Sequence, residues 1–393
     1  MSIFVHMTAY RGFDVVPTVK DCIDKSKDRD ALHFGLCLQQ DEEIPSELNH
    51  ERITVERVPL GERKGHGFAR SRAQRMYAGQ DFSFQIDSGC RFAEGWDEQL
   101  IQALEIVGSE RALITNPANR FNPENGELEH KDVAYKAQVF QFLSNTPAIW
   151  PMALKGVVAI QRTRMTCDHN IFSQGRHCTE CPHDPDLYYS EIDSAMSLRS
   201  FTLGYDLFQH FKPMVFRNYS NRAMNWADDF EWWLKDRSSK ARFDDLLAGR
   251  LADFGLGSSR TLRDFELFSG IDFPGRRIQR DALTGSEPPC KFEDEAKWEA
   301  GYMKDYNIAV SWDPAKVESC EDYDYWLFAV EDSAGNTISR QDLRWERDKD
   351  ALEKRVSSKK VQFRAQAQAV PSKVAIQPFS KSRGGLAKAT FNI

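Results

Sequence analysis

The stretch Asp81–Phe92, DFSFQIDSGCRF, decides how the chain is read. It is an apolar strand that stops on a carboxylate, Asp87, followed by Ser88 and Gly89. A strand of this composition is normally buried, and a buried carboxylate is costly unless it is hydrogen-bonded, paired or metal-bound. The carboxyl end of a strand is also where open α/β sheets gather ligands. Asp87 is therefore a candidate site residue; read alone, it could equally cap a turn.

Working outward, strand and helix signals alternate. Ser2–Tyr10, Ala31–Gln39 and Arg52–Leu60 read as strands, Val16–Lys27 and Gly67–Tyr77 as helices. Beyond Asp87, the helix Trp96–Val107 and the strand Ala112–Thr115 continue the pattern. This alternation predicts an α/β fold with a doubly wound, mainly parallel sheet. Residues 116–186 read as irregular, and Glu191–Phe208 as a helix stopped by Gly204 and leading into a strand. A catalytic domain over residues 1–270 follows, with a Cys/His-rich insertion at 165–184 and a linker at 271–290. Residues 291–380 carry short alternating or aromatic strands and predict a small β-sandwich-like domain, followed by a basic flexible tail at 381–393.

Composition narrows the class. With 41% hydrophobic and 28% charged residues in 393, the chain has an ordinary globular balance, and no apolar run approaches the roughly 20 residues of a membrane span. The start lacks a basic n-region and a long apolar core, so a cytoplasmic protein is expected, or one in the host cytoplasm if phage-encoded. Eight scattered cysteines then argue for thiols or a metal and against a disulfide framework. Net charge is −7, but residues 354–393 hold nine Lys or Arg and no acid, so the preceding 353 carry −16. A basic tail on an acidic body fits a polyanionic partner or a solvated end.

Chemistry can be attached to Asp87. In nucleotide-sugar transferases an acid at a strand end holds a divalent cation, and hard oxygen ligands suit Mg²⁺ or Mn²⁺. A cation there offsets the negative charge that builds on a departing diphosphate.

The run Gly67, Ala69, Arg70, Ala73, Gln74, Tyr77, Gly79, Phe82, Gln85-Ile86-Asp87-Ser88, Arg91-Phe92, Gly95-Trp96-Asp97 resembles the signature of glycosyltransferase family 60. The opening Ile3–Val19 resembles that family's first strand and nucleotide loop, and Tyr188–Asp193, Leu198-Arg199 and Gly204-Tyr205-Asp206 resemble its acidic helix. The match covers approximately residues 2–230, in order. It implies a GT-A-type fold and a retaining enzyme that moves N-acetylglucosamine or a hexose from a UDP-sugar to a protein hydroxyl. It also implies Thr8, Ala9, Tyr10 and Arg11 beside the uridine or ribose, with Arg70, Ser88 and Arg217 on the donor. Glu191 and Asp193 would line the acceptor side and help deprotonate the attacking hydroxyl; as helix N-terminal acids they also have a purely structural reading. Two departures stand out. Gly89 replaces the histidine of the family's Asp-Ser-His, and Arg217-Asn218 stand where a later histidine is usual. Asp87 is then left with water and phosphate oxygens, unless His66 or His210 substitutes, or the Arg217 guanidinium takes part of the cation's role.

Cys178-x-x-Cys181, with Cys167 upstream and His169, His177 or His183 nearby, offers the soft ligands of a structural Zn²⁺ site tying down a long loop. The alternative is a loop of reduced thiols. On function, the basic tail keeps glycosylation of 5-hydroxymethylated DNA bases as an alternative acceptor chemistry. A non-catalytic sugar- or nucleotide-binding module is a further alternative, opposed by the retention of Asp87, Glu191 and Asp193.

Overall fold

Alternation along the strand Phe82–Asp87 sorts its residues between two environments. The computed structural model describes residues 1–12, 14–220, 231–290 and 294–393. In it Phe82, Phe84 and Ile86 turn into an apolar core, while Ser83, Gln85 and Asp87 line a polar seam on the opposite face. The first strand, β1 (Ile3–Tyr10), divides the same way: Ile3, Val5, Met7 and Ala9 join that core, and Phe4, His6 and Thr8 face the seam side.

Helices cover both faces. α1 (Val15–Lys25) brings Val15, Val19 and Cys22 to the core, and Trp96, Leu100, Ala103 and Leu104 of Trp96–Val107 complete it. Phe84 and Trp96 stack at 4.8 Å between ring centroids. On the seam side, α2 (His66–Gln74) packs Ala69 and Ala73 against Cys37 and Val58. Its approach leaves no room at Gly35, where a Cβ would stand 2.6 Å from the Phe4 ring and 2.9 Å from the Ala73 carbonyl. With Trp96–Val107 as α3, the remaining strands are β2 (Leu32–Gln39), β3 (Ile53–Val58), β4 (Phe82–Asp87), β5 (Cys90–Phe92), β6 (Ala112–Thr115), β7 (Asn119–Arg120), β8 (Tyr135–Leu143), β9 (Thr146–Ala153), β10 (Gln161–Arg162), β11 (Asn170–Gln174), β12 (Asp206–Gln209) and β13 (Val215–Arg217).

Eight of these strands form one sheet in the order β10-β12-β6-β11-β4-β1-β2-β3. Strands β1 to β4 are mutually parallel where they pair, β12 is parallel to β6, and β11 and β10 run antiparallel to their neighbours. The α/β, doubly wound, mixed sheet is as expected. Thr8 pairs with Asp87, so the carboxyl ends of β1 and β4 lie side by side. A three-stranded sheet, β5-β13-β7, sets Arg217 opposite Cys90 just past Asp87.

The expected Cys/His-rich insertion at 165–184 is corrected: β11 lies inside it and sits in the middle of the main sheet, between β4 and β6. The run Asn170–Gln174 is short and has two apolar residues, too few to show a strand period in the sequence. Residues 135–153 form the hairpin β8–β9, whose Pro147 and Pro151 masked it as a strand signal.

The chain divides into two compact units, residues 1–275 with 281–291, and residues 276–280 with 292–393. The stretch 271–290 is thus not a free linker. It holds the strands β14 (Ile271–Asp272) and β15 (Arg277–Gln279); both its ends belong to the first unit and its middle, residues 276–280, to the second. The second unit has β15, β16 (Tyr302–Ser311) and β19 (Lys360–Ala367) antiparallel in one sheet. The other sheet holds β17 (Tyr323–Glu331), β18 (Thr337–Arg344), β20 (Lys373–Ser380), β21 (Gly384–Gly385) and β22 (Ala389–Asn392). Ile308, Val310, Val361 and Phe363 of the first share one core with Trp326, Phe328, Val374 and Ile376 of the second.

The basic tail is corrected too. Residues 381–393 return as β21 and β22 along β20, and the tail's cations are paired: Lys381 with Glu346 at 2.6 Å, Arg383 with Glu318 at 3.2 Å and Lys388 with Glu331 at 2.7 Å. Backbone pairing to an open strand edge outweighs the polar composition that suggested disorder. Among the described residues no helix is long and apolar enough to cross a membrane.

Removing residues 387–393 uncovers the β20 edge, takes Phe391 from Trp312 and strips Lys388 from the buried Glu331. The truncated protein is expected to lose about 2–4 kcal/mol in the second unit. Thermal denaturation followed by tryptophan fluorescence measures this; an unchanged melting temperature would show the last strand to be dispensable.

Candidate active site

Arg70 is fully buried on α2, and its guanidinium must be satisfied inside the protein. It donates to the Ile86 carbonyl and to Asp87 Oδ1, to the Asp168 carbonyl at 3.0 Å and to Asp168 Oδ2 at 3.1 Å. One side chain thereby ties α2 to the end of β4 and to the residues that lead into β11. Arg217, at the end of β13, reaches the other Asp87 oxygen at 2.8 Å. His66, one turn before Arg70, places Nε2 2.6 Å from Asp168 Oδ2 and 3.9 Å from Asp87 Oδ1. Gln85 Nε2 donates to Asp168 Oδ1 at 2.6 Å, and Gln85 Oε1 meets His183 Nε2 at 2.7 Å.

The charges set the ionisation. Burial pushes Asp87 upward, but Arg217, Arg70 and His66 together outweigh it and hold the carboxyl below its ordinary range. For Asp168 burial is outweighed in the same way by Arg70, His66 and His183, and the carboxyl sits well below the usual value. Asp193, at the start of α5 (Ile192–Thr202), behaves oppositely. Burial, aided by the Asp168 charge, raises it to about 7, while its Oδ1 accepts the Asp168 N–H at 2.6 Å. Burial, with help from Arg217, lowers His169 to about 4, so this imidazole stays neutral.

The loop after β1 is tied to the loop after β4. Thr18 Oγ1 accepts the Gly89 and Cys90 N–H groups at 3.0 and 3.2 Å, and Asp14 pairs with Arg91 at 2.8 Å. Arg11, Gly12 and Asp14 all have positive φ, a tight turn that ends β1 beside Asp87. Thr8 is buried and its carbonyl accepts the Ser88 N–H at 3.2 Å. Tyr10 is half-buried with the Arg11 guanidinium 5.2 Å from its ring, both at the mouth of the strand. Ala9 points into the core, so only its backbone faces the mouth.

Thr8, Ser88, Arg70 and Arg217 thus gather around Asp87. Glu191 does not. It is completely buried and its carboxylate accepts from Ser190 Oγ at 2.6 Å and from Ser239 Oγ, a structural acid closed off from an acceptor. The sequence reading missed Asp168 and Gln85 as site residues, and offered His183 only as a possible zinc ligand, whereas its Nε2 meets Gln85 Oε1. Asp168 belongs to no periodic pattern; it reaches the centre only because β11 enters the sheet beside β4.

Among the described residues, His66, Asp87 and Asp168 form a group whose ligand atoms all lie within 4.8 Å of one another. Two carboxylates and an imidazole fit a divalent cation such as Mn²⁺ or Mg²⁺ in charge and chemistry. Of the two substitutes considered for the family histidines, His66 is in this group; His210 is not, its Nδ1 lying 3.0 Å from the Lys212 carbonyl.

The zinc expectation is corrected. Cys167, His169, Cys178 and Cys181 are not among the described residues that gather as a metal-binding group. Cys167 and His169 precede β11, and Cys178 and Cys181 follow it on α4 (His177–Glu180) and just past it; a five-residue strand, roughly 17 Å long, separates the pairs. Each has other company. His169 Nε2 accepts the Ala118 N–H at 3.1 Å, Cys181 Sγ lies 3.7 Å from Met196 Sδ, and burial pushes the Cys178 thiol up to about 12.

Residues 41–253, more than half of the chain, match the family described as Glycosyltransferase (GlcNAc). The chain belongs to this glycosyltransferase family. No curated protein matches it. Among solved structures, GalNAc-T7 with UDP, GalNAc and Mn²⁺ is 14% identical, with a TM-score of 0.44 over 67% of this chain and 54% of that one. The chain therefore spans about half the length of GalNAc-T7. A part of S. aureus TarS in complex with UDP-GlcNAc is 12% identical, with a TM-score of 0.36 over 65% of this chain and 74% of that one. The glycosyltransferase match runs from the end of β2 to beyond α6 (Trp232–Leu247) and so takes in Asp87, Asp168, Asp193 and Arg217.

Because burial lifts Asp193 from its ordinary 3.8 to about 7, the folded protein gives up stability as pH rises between those values. Asp193→Asn keeps the acceptor oxygen for the Asp168 N–H and does not titrate. It is expected to be the more stable protein at pH 8, by up to about 4 kcal/mol, with the gap closing by about pH 4. Urea denaturation at several pH values checks this; a gap independent of pH would mean that Asp193 ionises normally.

Proposed function

We propose that this glycosyltransferase moves N-acetylglucosamine or a hexose from a UDP-sugar to a hydroxyl on a macromolecule, with a protein hydroxyl as the favoured acceptor. The observation that carries the reading is Asp87, buried at the carboxyl end of β4 between two guanidiniums and within one cluster with Asp168 and His66. Family membership supports sugar transfer, and the resemblance to glycosyltransferase family 60 supports the UDP-GlcNAc donor and a retaining course.

In the reaction the acceptor oxygen forms a bond to the anomeric carbon, the bond from that carbon to the β-phosphate oxygen breaks, and the acceptor's proton leaves to a base. Arg217 and Arg70 bring positive charge to the edge where the diphosphate departs, and Arg217, partly exposed, is the one able to form a bidentate contact with it. Thr8, Ser88, Tyr10 and Arg11 frame the nucleotide end. Asp193, titrating near 7, has the affinity for a proton that a general base needs at neutral pH. A divalent cation held by His66, Asp87 and Asp168 would add to the charge that meets the leaving diphosphate.

A DNA acceptor finds less support than the charge count suggested. Of the nine cations counted over residues 354–393, the last three, Lys381, Arg383 and Lys388, are already matched with Glu346, Glu318 and Glu331.

Radiolabelled UDP-GlcNAc incubated with the protein tests the reading through slow hydrolysis in the absence of acceptor. Asp87→Asn and Arg217→Ala are each expected to lower hydrolysis about 100-fold. Chelation should slow the wild type, with Mn²⁺ restoring it, and His66→Ala should need more Mn²⁺ for the same rate. Equal hydrolysis by wild type and Asp87→Asn would sink the assignment.

A further inference from the structure

A cavity of about 200 Å³ lies in the first unit among β8–β9, β10, β12 and residues 282–288, and shares no lining residue with the Asp87 centre. Four cations line it, Lys136, Lys155, Arg162 and Arg164, against a single carboxylate, Glu287. That carboxylate is engaged by the Arg162 backbone N–H at 3.0 Å.

Arg164 is only 3% exposed. Its guanidinium donates to the carbonyls of Ser269 at 2.6 Å and Ser286 at 2.7 Å and to Cys290 Sγ at 3.0 Å; among the described residues it makes no ion pair. Lys136, half-buried, donates to the Gly285 carbonyl, and burial together with Arg164 lowers its affinity for its proton. Carbonyls satisfy N–H groups of these side chains without cancelling their charge, and Glu287 opposes only part of the charge of the four cations. Buried positive charge of this kind is costly unless a counter-ion arrives.

Gln209 narrows the ligand. It is also 3% exposed and lines the same cavity, and among the described residues its Oε1 has no hydrogen-bond partner while its Nε2 reaches Gln161 Oε1 at 3.4 Å. A buried acceptor left open beside four cations calls for a ligand that carries both negative charge and an O–H donor. The volume is below the ~300–1,000 Å³ of pockets for larger ligands. We propose that this cavity binds a small phosphate monoester with a free hydroxyl, such as a hexose monophosphate. The cations surround the phosphate and Gln209 Oε1 accepts from the hydroxyl.

Isothermal titration of the full chain with a hexose monophosphate and with inorganic phosphate tests this. The sugar phosphate is expected to bind at one site per chain and more tightly than phosphate. The double variant Lys155→Ala with Arg162→Ala, both exposed and safe for folding, should weaken both ligands about tenfold or more. Gln209→Leu should weaken the sugar phosphate and leave phosphate unchanged. Arg217→Ala, at the separate donor centre, should alter neither. The proposal is overturned if neither anion binds, or if binding is lost in Arg217→Ala and retained in the double variant, since the anion then sits at the donor centre. Failure of UDP-GlcNAc hydrolysis would leave this result untouched.

Discussion

The buried Arg70 guanidinium is the constraint on which the centre depends. A charge with no access to water has to find its partners within the fold, and Arg70 takes them from two distant places in the sequence: the Ile86 carbonyl and Asp87 carboxylate at the end of β4, and Asp168. Those contacts fix α2 over the end of β4 and hold the approach to β11 in place. Burial alone would push both carboxyls upward; Arg70 helps hold both down, together with Arg217 and His66 at Asp87 and with His66 and His183 at Asp168.

The balance around Asp87 is near neutral and crowded. Two guanidiniums and two carboxylates meet within hydrogen-bonding distance, with His66 beside them. Gly89 and Arg217 stand where the resembling family has histidines, and the geometry gives a reason for the exchange: Arg217 reaches Asp87 across the small sheet, and the Asn218 N–H donates to the Gly89 carbonyl at 2.9 Å. His66 supplies from α2 the imidazole those positions lack. Arg70 and Arg217 both pair with Asp87, so under the proposed function a departing diphosphate would meet their charge as well as that of any cation at this edge.

Much of the first hundred residues was legible because the signals there are redundant. Strand period, helix period and the change between them agree, and the acid at the end of β4 breaks an apolar run at a place where a break has chemical meaning. The second unit's strands were legible from their alternating pattern, and its last strands were not, since Lys381, Arg383 and Lys388 give a solvated tail and a salt-bridged strand end the same composition. The cysteine spacing around Cys178 and Cys181 misled for a related reason. Spacing along the chain says nothing of direction, and β11 carries the chain away between the two halves of the supposed site.

By itself the sequence determined the α/β class and the position of Asp87 at a strand end, because these follow from local periods and from the cost of burying an acid; only the family resemblance implied Arg70 and Arg217 beside it. Only the tertiary structure decided that Asp168 and His66 complete the centre, that Glu191 is closed off and that Arg164 lies buried beside a cavity lined by three further cations and one carboxylate. Those facts depend on which segments the sheet order brings together over distances of many residues, and the pairing of β11 between β4 and β6 leaves no mark on the composition of either strand.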